Sequence, residues 1–469
     1  MTDKIFNKTR LITLFFSLSL YLAYGFGPKN DPKPTNVIII YMDDMGYGDL
    51  SAYGHPTIKT PNLDKLATHG QKWTNFYTAS SVCSPSRGAL LTGRYPIRIG
   101  LAGENKRVFF PESLGGLPDE EVTIAEILKK KGYATALIGK WHLGHLPQFL
   151  PDQQGFDEFY GLPFSNDMNP IESNGKHLMN PTDPKNWDIP LMHNEQVVER
   201  PVDQSTITKR YTEKTIEFIT KHKDQPFFIY MAHSMVHVPL FASKYFLKSS
   251  ERGLYGDVMN EVDWSVGAIV NTLKELNLEK NTLVVFTSDN GPWLTYREMG
   301  GSAGLLKNGK GTTWEGGMRV PGIFYMPGTV KPGLITDLGS TLDLLPTIAE
   351  LTGAELPENT ILDGFSLGNT LKEKTKSKRD HFIYYRKKEI YATRLGNYKA
   401  HFISEDCYKA NNNRIDHQQP LLFELNHDPG EQYDQAQAKP EVLQEILTFT
   451  EKHRKSMKPK PSELDKWPN

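Results

Sequence analysis

Long apolar runs alternate with amphipathic segments along the first three quarters of this chain. The run NVIIIYM, which begins at Asn36, is apolar and rich in β-branched residues, as is typical of a strand buried on both faces. Similar runs follow in ATALIGK, FFIYMA and TLVVFTS, and a segment with helical periodicity precedes each of them. This alternation predicts an α/β fold in which helices cover both faces of a large sheet.

The pattern changes after Leu351. The stretches HFIYYRK, IYATRLGNYKAHF and PLLFELN are shorter, alternate between apolar and polar residues, and are separated by polar turns. A final amphipathic segment, PEVLQEILTFTEKHRK, has helical periodicity. We therefore predict a catalytic domain at residues 36–355 and a smaller α+β subdomain, with an antiparallel sheet, at residues 356–469.

Residues 1–25 have the features of a secretory signal peptide. Lys4, Lys8 and Arg10 precede the apolar run LITLFFSLSLYLAYG, and Ala23 and Gly25 form a small-x-small cleavage site. An uncleaved membrane anchor is the alternative, although the run is short for a membrane span. Residues 26–35 are typical of a disordered leader, and the glycosylation motif N-x-[ST] is absent from the sequence beyond the signal region. We expect a bacterial protein exported to the periplasm or the extracellular space, without stable membrane insertion after cleavage.

Composition and charge narrow the class of protein. A hydrophobic content of 38% is enough to build a sizeable core. A formal net charge of −1 argues against a nucleic-acid binder that relies on a broad basic surface. Two cysteines exclude a disulfide framework and a zinc site made of several cysteines.

Polar residues of the types that bind ligands or act in catalysis follow four of the predicted strands. They are Asp43 and Asp44 after the first strand, Lys140 and His142 after ATALIG, His233 and His237 after FFIYMA, and Asp289 and Asn290 after TLVVFTS. Each pair alone could be a turn or a helix cap. Four such strand ends together favour a functional site, because open α/β sheets bind ligands at the carboxyl ends of their strands.

The residue types in this set indicate a metal and an oxyanion. Asp43, Asp44, Asp289 and Asn290 offer oxygen ligands, which suit Ca²⁺ or Mg²⁺; we favour Ca²⁺ because Mg²⁺ usually keeps several waters. The remaining candidates are cationic or can become so: Arg87, Lys140, His142, His237 and Lys310. A metal surrounded by cations predicts a sulfate or phosphate ester as the substrate.

One of the two cysteines lies in the stretch CSPSRGALLTGR, which begins at Cys83. Pro85 and the run after it predict a helix that starts near the cysteine. A helix N-terminus would lower the pKa of a thiol, so a cysteine nucleophile is one interpretation. A cysteine-dependent phosphatase would need an arginine at position 89, where this chain has Ala89, and the arginine is Arg87 instead.

The same stretch resembles the sulfatase signature C-x-P-S-R-x-x-x-L-T-G-R at every fixed position. The blocks MDDMGYGDL, GKWHLG, HVP, SDNG and GKGTTWEGGMRVP follow the order found in that family, and the segments FIYYRK and LFELNHDPGEQYD are also similar to it. The resemblance is to the branch of arylsulfatase A and N-acetylgalactosamine-6-sulfatase. It implies an alkaline phosphatase-like fold with a large mixed sheet, and oxidation of the cysteine to formylglycine by a formylglycine-generating enzyme.

The resemblance also implies a role for each matching residue. It assigns metal binding to Asp43, Asp44, Asp289 and Asn290, with Cys83, as formylglycine, as nucleophile and further metal ligand. Arg87 would steady the hydrated aldehyde, Lys140 and Lys310 would bind sulfate, His142 would help to regenerate the aldehyde, and His237 would lie near the leaving oxygen. Ser165, in GLPFSNDMNP, would contact the sulfate. In the implied reaction a hydroxyl of the aldehyde hydrate attacks sulfur, His237 or Lys310 protonates the leaving alcohol, and His142 then takes the remaining hydroxyl proton so that sulfate is expelled.

Several points stay open at the level of sequence. The substrate is expected to be a sulfated polysaccharide, a glycosaminoglycan fragment or an aryl sulfate, with specificity set by loops at residues 104–118 and 169–200. The alternatives are a phosphodiesterase or phosphonate hydrolase of the alkaline phosphatase superfamily and an inactive sulfatase-like binding protein. His233 is interpreted as a packed core residue and Cys407 as a free surface thiol.

Overall fold

The computed structural model describes residues 34–171, 183–409 and 413–468. The predicted signal peptide and most of the predicted leader, up to residue 33, lie outside these residues. Residues 35–469 form one compact unit. No helix within the described residues combines the length and the apolar character needed to cross a bilayer.

Within the described residues, ten strands form one large mixed sheet in the order β10-β2-β9-β8-β1-β7-β3-β4-β5-β6. Their bounds are β1 Asn36–Met42, β2 Gln71–Tyr77, β3 Ala134–Lys140, β4 Glu158–Leu162, β5 Leu191–His193, β6 Gln196–Glu199, β7 Phe227–Ala232, β8 Thr282–Ser288, β9 Arg319–Tyr325 and β10 Gly333–Ser340. The central strands β8, β1, β7, β3 and β4 run parallel, whereas β9 pairs antiparallel with β8 and β2. The antiparallel β5 and β6 end the sheet on the other side.

Both faces of this sheet are buried, as the apolar runs predicted. Alternate residues of β1 belong to two different hydrophobic clusters: Ile38 and Ile40 pack on one face, and Val37 and Ile39 pack on the other. Helices cover both faces; they are α1 Pro61–His69, α2 Cys83–Thr92, α3 Ile124–Lys130, α4 Ile207–Lys221, α5 Leu254–Glu275, α6 Glu315–Met318, α7 Leu344–Thr352 and α8 Gly368–Glu373. The predicted α/β class is therefore confirmed.

A second, antiparallel sheet follows in the order β11-β12-β13-β14. Its strands are β11 His381–Arg386, β12 Glu389–Leu395, β13 Tyr398–Ser404 and β14 Ile415–Glu424, and α9 Pro440–Ser456 packs beside them. The predicted antiparallel sheet and final helix are thus confirmed, whereas the boundary at residues 355 and 356 stays a prediction.

Candidate active site

The sheet order explains why the polar strand ends meet. The strands β8, β1, β7 and β3 are adjacent and parallel, so their carboxyl ends lie side by side at one edge of the sheet. The polar residues predicted from the sequence follow these four strands directly or within a few residues. The helix α2 supplies Cys83 and Arg87, the segment after β4 supplies Ser165, and the segment before α6 supplies Lys310.

The three aspartates and the asparagine form a buried cluster. Asp43, Asp44, Asp289 and Asn290 are each at most 3% exposed. The backbone amide of Asp44 donates to Asp289 Oδ1 at 3.1 Å, and Asn290 Nδ2 donates to Asp44 Oδ1 at 2.7 Å. Asp44 has a φ of 59°, a left-handed conformation that aspartate adopts more readily than most residues. The structure therefore brings all four predicted oxygen ligands together.

Cations surround the carboxylates at ion-pair distance. Arg87 Nη2 lies 2.7 Å from Asp289 Oδ2 and 3.6 Å from Asp43 Oδ1. Lys140 Nζ lies 2.6 Å from Asp43 Oδ2. Although burial opposes ionisation, Lys140, His237 and Arg87 hold the pKa of Asp43 far below its usual range. Burial and the negative charge of Asp43 raise the pKa of Asp289, so two neighbouring carboxylates are driven in opposite directions.

The donor set fits a hard divalent cation. Asp43 Oδ1 and Asn290 Oδ1 are buried and have no hydrogen-bond partner among the described residues. Buried polar atoms of this kind are costly unless something binds them. Asp43 and Asp289 each have a carboxylate oxygen within 4.8 Å of the Cys83 sulfur. Asp43 and Asp44 each have a carboxylate oxygen within 4.8 Å of a ring nitrogen of His237. Oxygen-rich sets of this composition suit Ca²⁺ or Mg²⁺ better than softer metals.

Cys83 is the first residue of α2, and Val82 is its N-cap. The sequence suggested that the helix N-terminus would lower the pKa of the thiol, and this expectation is wrong. Burial raises the pKa of Cys83 to about 11, although Lys140 and Lys310 act in the opposite direction. A buried neutral thiol is a poor nucleophile, so the structure does not favour the interpretation of Cys83 as a thiolate nucleophile.

Arg87 lies one turn after Cys83 on the same helix, which directs both side chains to the same side. Its Nη1 donates to the carbonyl of Lys140 at 3.0 Å, and its guanidinium lies 5.6 Å from the ring centre of Tyr41. Together with the pairing to Asp289, these contacts fix a fully buried arginine between α2 and the ends of the strands.

Lys140 and Ser165 meet at the site although 25 residues separate them in the sequence. Lys140 Nζ donates to Ser165 Oγ at 3.0 Å. Both side chains are buried, and Ser165 lies in the segment after β4, the strand that pairs with β3. The structure thus places the least well-defined sequence candidate in contact with one of the predicted sulfate-binding lysines.

His142 keeps one ring nitrogen free. Its Nε2 lies 2.8 Å from the carbonyl of Phe109, which can only accept, so Nε2 carries the proton and Nδ1 is the acceptor. Nδ1 is buried and has no hydrogen-bond partner among the described residues. Burial and the nearby charge of Lys140 hold the pKa of His142 well below its usual value. The ring is therefore neutral at pH 7 and can take a proton at Nδ1.

His237 and Lys310 both approach Asp44. His237 Nδ1 donates to the carbonyl of Val238 at 2.5 Å, which leaves Nε2 facing Asp44 Oδ2 at 3.5 Å. Lys310 Nζ lies 2.7 Å from the same Asp44 oxygen. Burial opposes the charge on Lys310, but Asp44 outweighs it and raises the pKa of the ammonium. The indole of Trp293 packs against both, 5.4 Å from the His237 ring and 4.2 Å from Lys310 Nζ.

These groups open onto a cleft of about 360 Å³. Its walls include five candidates from the sequence, namely Cys83, His142, Ser165, His237 and Lys310. They also include residues that the sequence did not single out: Arg107, Val108, Phe110, Asp167, Met168, Trp293 and Thr295. Arg107, Val108 and Phe110 lie in the loop at residues 104–118, which had been expected to set specificity but whose contacts could not be assigned from sequence.

Cys407 and His233 differ in how well their interpretations hold. Cys407 is not a surface thiol: it is half-buried, lines the same cleft as Cys83, and its thiol donates to Asn308 Oδ1 at 2.9 Å. The segment after β13 thus brings a residue of the C-terminal part of the chain to the cleft. His233 is fully buried, and burial lowers its pKa to about 4, which fits the predicted core residue.

A buried ionic network supports the loop that carries Lys310. Lys399, on β13, contacts the carbonyl of Thr313 at 2.8 Å and one carboxylate oxygen each of Glu315 and Glu431 at 2.9 Å. The backbone amide of Glu315 donates to Glu431 Oε2 at 2.7 Å. No sequence pattern indicated this network, because a lysine in an alternating strand is ordinarily exposed.

Family models match almost the whole described chain. The model for sulfatases matches residues 35–354, and the model for the C-terminal region of aryl-sulfatase matches residues 377–469. Arylsulfatase A of Homo sapiens is 42% identical over 461 residues, which covers 92% of this chain and 89% of that protein. N-acetylgalactosamine-6-sulfatase of Homo sapiens is 38% identical over 473 residues, which covers 94% of this chain and 90% of that protein.

A solved structure gives the same result. The crystal structure of the PsFucS1 sulfatase from Pseudoalteromonas sp. superimposes with a TM-score of 0.81 at 30% sequence identity. The superposition covers 93% of this chain and 92% of the other. The likeness therefore extends over the large sheet and the smaller antiparallel sheet together.

Proposed function

This chain belongs to the sulfatase family and is a sulfuric ester hydrolase, and we propose that it acts on sulfated carbohydrates or aryl sulfates through a formylglycine formed from Cys83 and a bound Ca²⁺. The observation that carries the proposal is that a buried cysteine in the wall of the cleft lies beside an acidic cluster that is paired with the cations Arg87, Lys140 and Lys310. Cys83 and Arg87 share α2, but the acidic residues and the two lysines come from other, distant segments of the chain, so the meeting of these groups depends on the fold.

The two buried lysines are placed to bind the sulfuryl group while it is transferred. Lys140 and Lys310 are held near the cysteine by Asp43 and Asp44, and Ser165 adds a hydroxyl to the same wall. Fixed donors in a site with little water stabilise charge that develops on the oxygens of a transferring group. Because the acidic residues already fix both ammonium groups, little reorganisation is needed when the sulfate binds.

The two histidines suit separate proton transfers. His237 Nε2 and Lys310 Nζ both lie by Asp44 Oδ2, and both are in the cleft wall, so either can supply a proton to the departing alcohol. His142 is neutral with Nδ1 free, so it can accept the proton of the hydroxyl that remains on residue 83. These assignments follow the roles that the sequence resemblance implied.

Asp43, Asp44, Asp289 and Asn290 would hold the cation, with residue 83 as a further ligand. The cation would supply Lewis acidity and lower the pKa of a hydroxyl bound beside it. We propose Ca²⁺ over Mg²⁺ because the protein offers so many oxygen atoms at one point, whereas Mg²⁺ keeps most of its waters. Arg87 would hold Asp289 in place through its ion pair.

The walls of the cleft suit a sugar ring. Trp293 offers an aromatic face beside Lys310 and His237, and the buried carboxylate oxygen Asp167 Oδ1 has no hydrogen-bond partner among the described residues. Aromatic faces and carboxylates are the groups that pack on sugar rings and accept from their hydroxyls. A volume of about 360 Å³ lies within the range of small-molecule sites.

Maturation and location complete the proposal. Conversion of Cys83 requires a formylglycine-generating enzyme as a partner during biosynthesis, before folding buries the thiol to 3% exposure. Export to the periplasm or the extracellular space rests on the predicted signal peptide of residues 1–25, which lies outside the described residues.

The test combines mass spectrometry with sulfate release. We expect the peptide that contains residue 83 to have the lower mass of formylglycine, and the purified protein to release sulfate from p-nitrophenyl sulfate and from position-defined sulfated sugars. Cys83→Ala should abolish release while the circular dichroism spectrum stays unchanged. Cys407→Ala removes the other thiol that lines the cleft and should retain most of the turnover.

Three results would contradict the proposal. An unmodified thiol at position 83 in fully active protein would exclude formylglycine. Hydrolysis of phosphodiesters or phosphonates faster than of any sulfate ester would favour the phosphodiesterase alternative. If protein that contains formylglycine releases sulfate from none of the esters tested, the inactive binding protein would be favoured.

A further inference from the structure

Arg107 is a cation in the cleft wall with no part in the proposed chemistry. Its Nη2 donates to the carbonyl of Gly311 at 3.1 Å, and Gly311 directly follows the sulfate-site residue Lys310. A Cβ placed on Gly311 would lie 3.1 Å from Arg107 Nη1 and 3.3 Å from Nη2, so the guanidinium packs directly against this segment. The charge of Arg107 therefore lies beside the predicted sulfate site rather than within it.

The guanidinium of Arg107 lacks a carboxylate of its own. Among the described residues no aspartate or glutamate forms an ion pair with it, whereas the neighbouring Arg386 pairs with Glu405. Arg386 Nε also donates to the carbonyl of Gly311, at 2.9 Å, so two guanidinium groups share one acceptor. Burial and the charge of Arg386 lower the pKa of Arg107 to about 10, which still leaves it cationic at neutral pH.

The surroundings of Arg107 add to the positive charge. A small pocket of about 30 Å³ adjoins the cleft, and Arg107 and Val82 line both. Lys106, Arg386 and Lys387 also line this pocket. Arg107 therefore has positively charged neighbours and free donors in the wall of the cleft. Arginines in such surroundings bind sulfate or carboxylate groups in a bidentate manner.

We propose that Arg107 binds a second anionic group of the substrate, a sulfate or carboxylate other than the one that is cleaved, and thereby selects multiply charged sugars. This inference rests on the proposed function, since it concerns the same cleft and the same reaction. It makes Arg107 a specificity-determining residue: its contact is with a remote part of the substrate. A substrate with a single anionic group leaves the donors of Arg107 unused.

The test compares substrates that differ by one anionic group. The probes are p-nitrophenyl sulfate, N-acetylgalactosamine 6-sulfate and N-acetylgalactosamine 4,6-disulfate, assayed with the formylglycine-containing full-length protein. We expect the kcat/KM of the wild type for the disulfate to be at least tenfold higher than for the 6-sulfate, mainly through a lower KM. A charge-assisted bidentate contact typically contributes more than a tenfold gain in binding. Added salt should reduce the preference, since part of the cleft is open to solvent.

Arg107→Gln should bring the ratio of kcat/KM for the disulfate to that for the 6-sulfate close to one. Arg107→Lys should retain part of the wild-type preference, because lysine keeps the charge but not the planar guanidinium. The double variant Arg386→Gln/Glu405→Gln is the matched control: it removes a second donor to the same carbonyl of Gly311 together with the carboxylate that pairs with Arg386, so the net charge beside Arg107 is unchanged and no residue of the cleft wall is altered. The control should therefore keep the wild-type preference. Thermal unfolding of each variant checks that the fold is retained.

Three outcomes overturn the inference while leaving the proposed function intact. One is that the wild type cleaves the monosulfate and the disulfate equally well. A second is that Arg107→Gln lowers kcat/KM by the same factor on all three substrates. A third is that Arg386→Gln/Glu405→Gln alters the preference as strongly as Arg107→Gln does, since Arg107 would then act only by holding Gly311. Absence of sulfate release by the wild type from every probe would refute the proposed function and this inference with it.

Discussion

Replacement of Lys399 by methionine tests the buried network that connects the two sheets. Lys399 is fully buried, and its ammonium contacts the carbonyl of Thr313 and the carboxylates of Glu315 and Glu431 at 2.8–2.9 Å. Methionine retains most of the apolar stem and removes the charge, these three contacts and a cation–π contact with Tyr384, whose ring centre lies 4.0 Å from Lys399 Nζ. The variant therefore isolates the electrostatic contribution of one buried cation.

The expected cost can be worked out from the groups left behind. Removal of one member of a buried ion pair typically costs about 3–5 kcal/mol, because the other charge stays buried without compensation. Here Glu315 retains a hydrogen bond from Tyr384 at 3.0 Å, and Glu431 retains His401 Nε2 at 2.7 Å. We therefore expect Lys399→Met to lower the free energy of unfolding by about 3 kcal/mol, at the lower end of that range.

Urea unfolding at pH 7, followed by tryptophan fluorescence and by circular dichroism, measures this change. The double variant Lys399→Met/Glu431→Gln should lose less than Lys399→Met alone, because it also removes one of the uncompensated charges. Lys452→Met, an exposed site on α9, is the control and should lie within about 0.5 kcal/mol of the wild type. A change of less than about 1 kcal/mol in Lys399→Met would refute the reasoning, since it is well below the cost of an uncompensated buried charge.

The pH dependence gives an independent readout of the same variant. Burial opposes ionisation of Glu315, but Lys399 and Arg319 outweigh it and lower the pKa of its carboxyl. A lowered pKa in the folded state stabilises the protein above about pH 4.5, and this contribution is lost as the pH falls toward the folded value. In Lys399→Met the pKa of Glu315 should rise, so acid unfolding should begin at a higher pH than in the wild type.

Three further predictions concern other parts of the molecule. Dialysis against EGTA should abolish sulfate release, and Ca²⁺ should restore it better than Mg²⁺. Burial lowers the pKa of His453 to about 4, so between pH 6.5 and pH 4 the wild type should lose about 1–2 kcal/mol more unfolding free energy than His453→Gln, after a discount for partial exposure. Other buried histidines, such as His233, contribute to the loss in both proteins. Gly139→Ala should cost more than about 3 kcal/mol in urea unfolding, because its Cβ would lie 1.8 Å from the carbonyl of Ala232. Gly328→Ala has a similar positive φ with open space around it and should cost only about 1 kcal/mol, so equal losses in the two glycine variants would contradict the steric argument.

The secondary structure was largely predictable because the sequence patterns are strong. Continuous apolar runs such as Val37 to Ile40 have no solvent-exposed position, so they form strands covered on both faces whatever their order in the sheet. The start of α2 at Cys83 was also predictable, because Pro85 fits the first turn of a helix and Gly93 provides the left-handed residue that ends it.

The environment of the site was less predictable, because it depends on contacts between distant segments. The thiol of Cys83 illustrates this: the helix N-terminus acts locally and lowers a thiol pKa, but burial by the rest of the chain outweighs it and raises the pKa. Cys407 was misplaced for the same reason, since nothing in its local polar sequence shows that the segment after β13 reaches the cleft.

The sequence by itself determined the secondary-structure elements, the class of fold and the set of candidate catalytic and metal-binding residues. These follow from periodicity and residue type over short stretches. Only the tertiary structure decided which side chains share the cleft and what charge they carry there. The order of β8, β1, β7 and β3 brings together Asp289, Asp43, His237 and Lys140, and the loop at residues 104–118 adds Arg107. Strand order and burial are properties of the whole folded chain, since each depends on groups hundreds of residues apart.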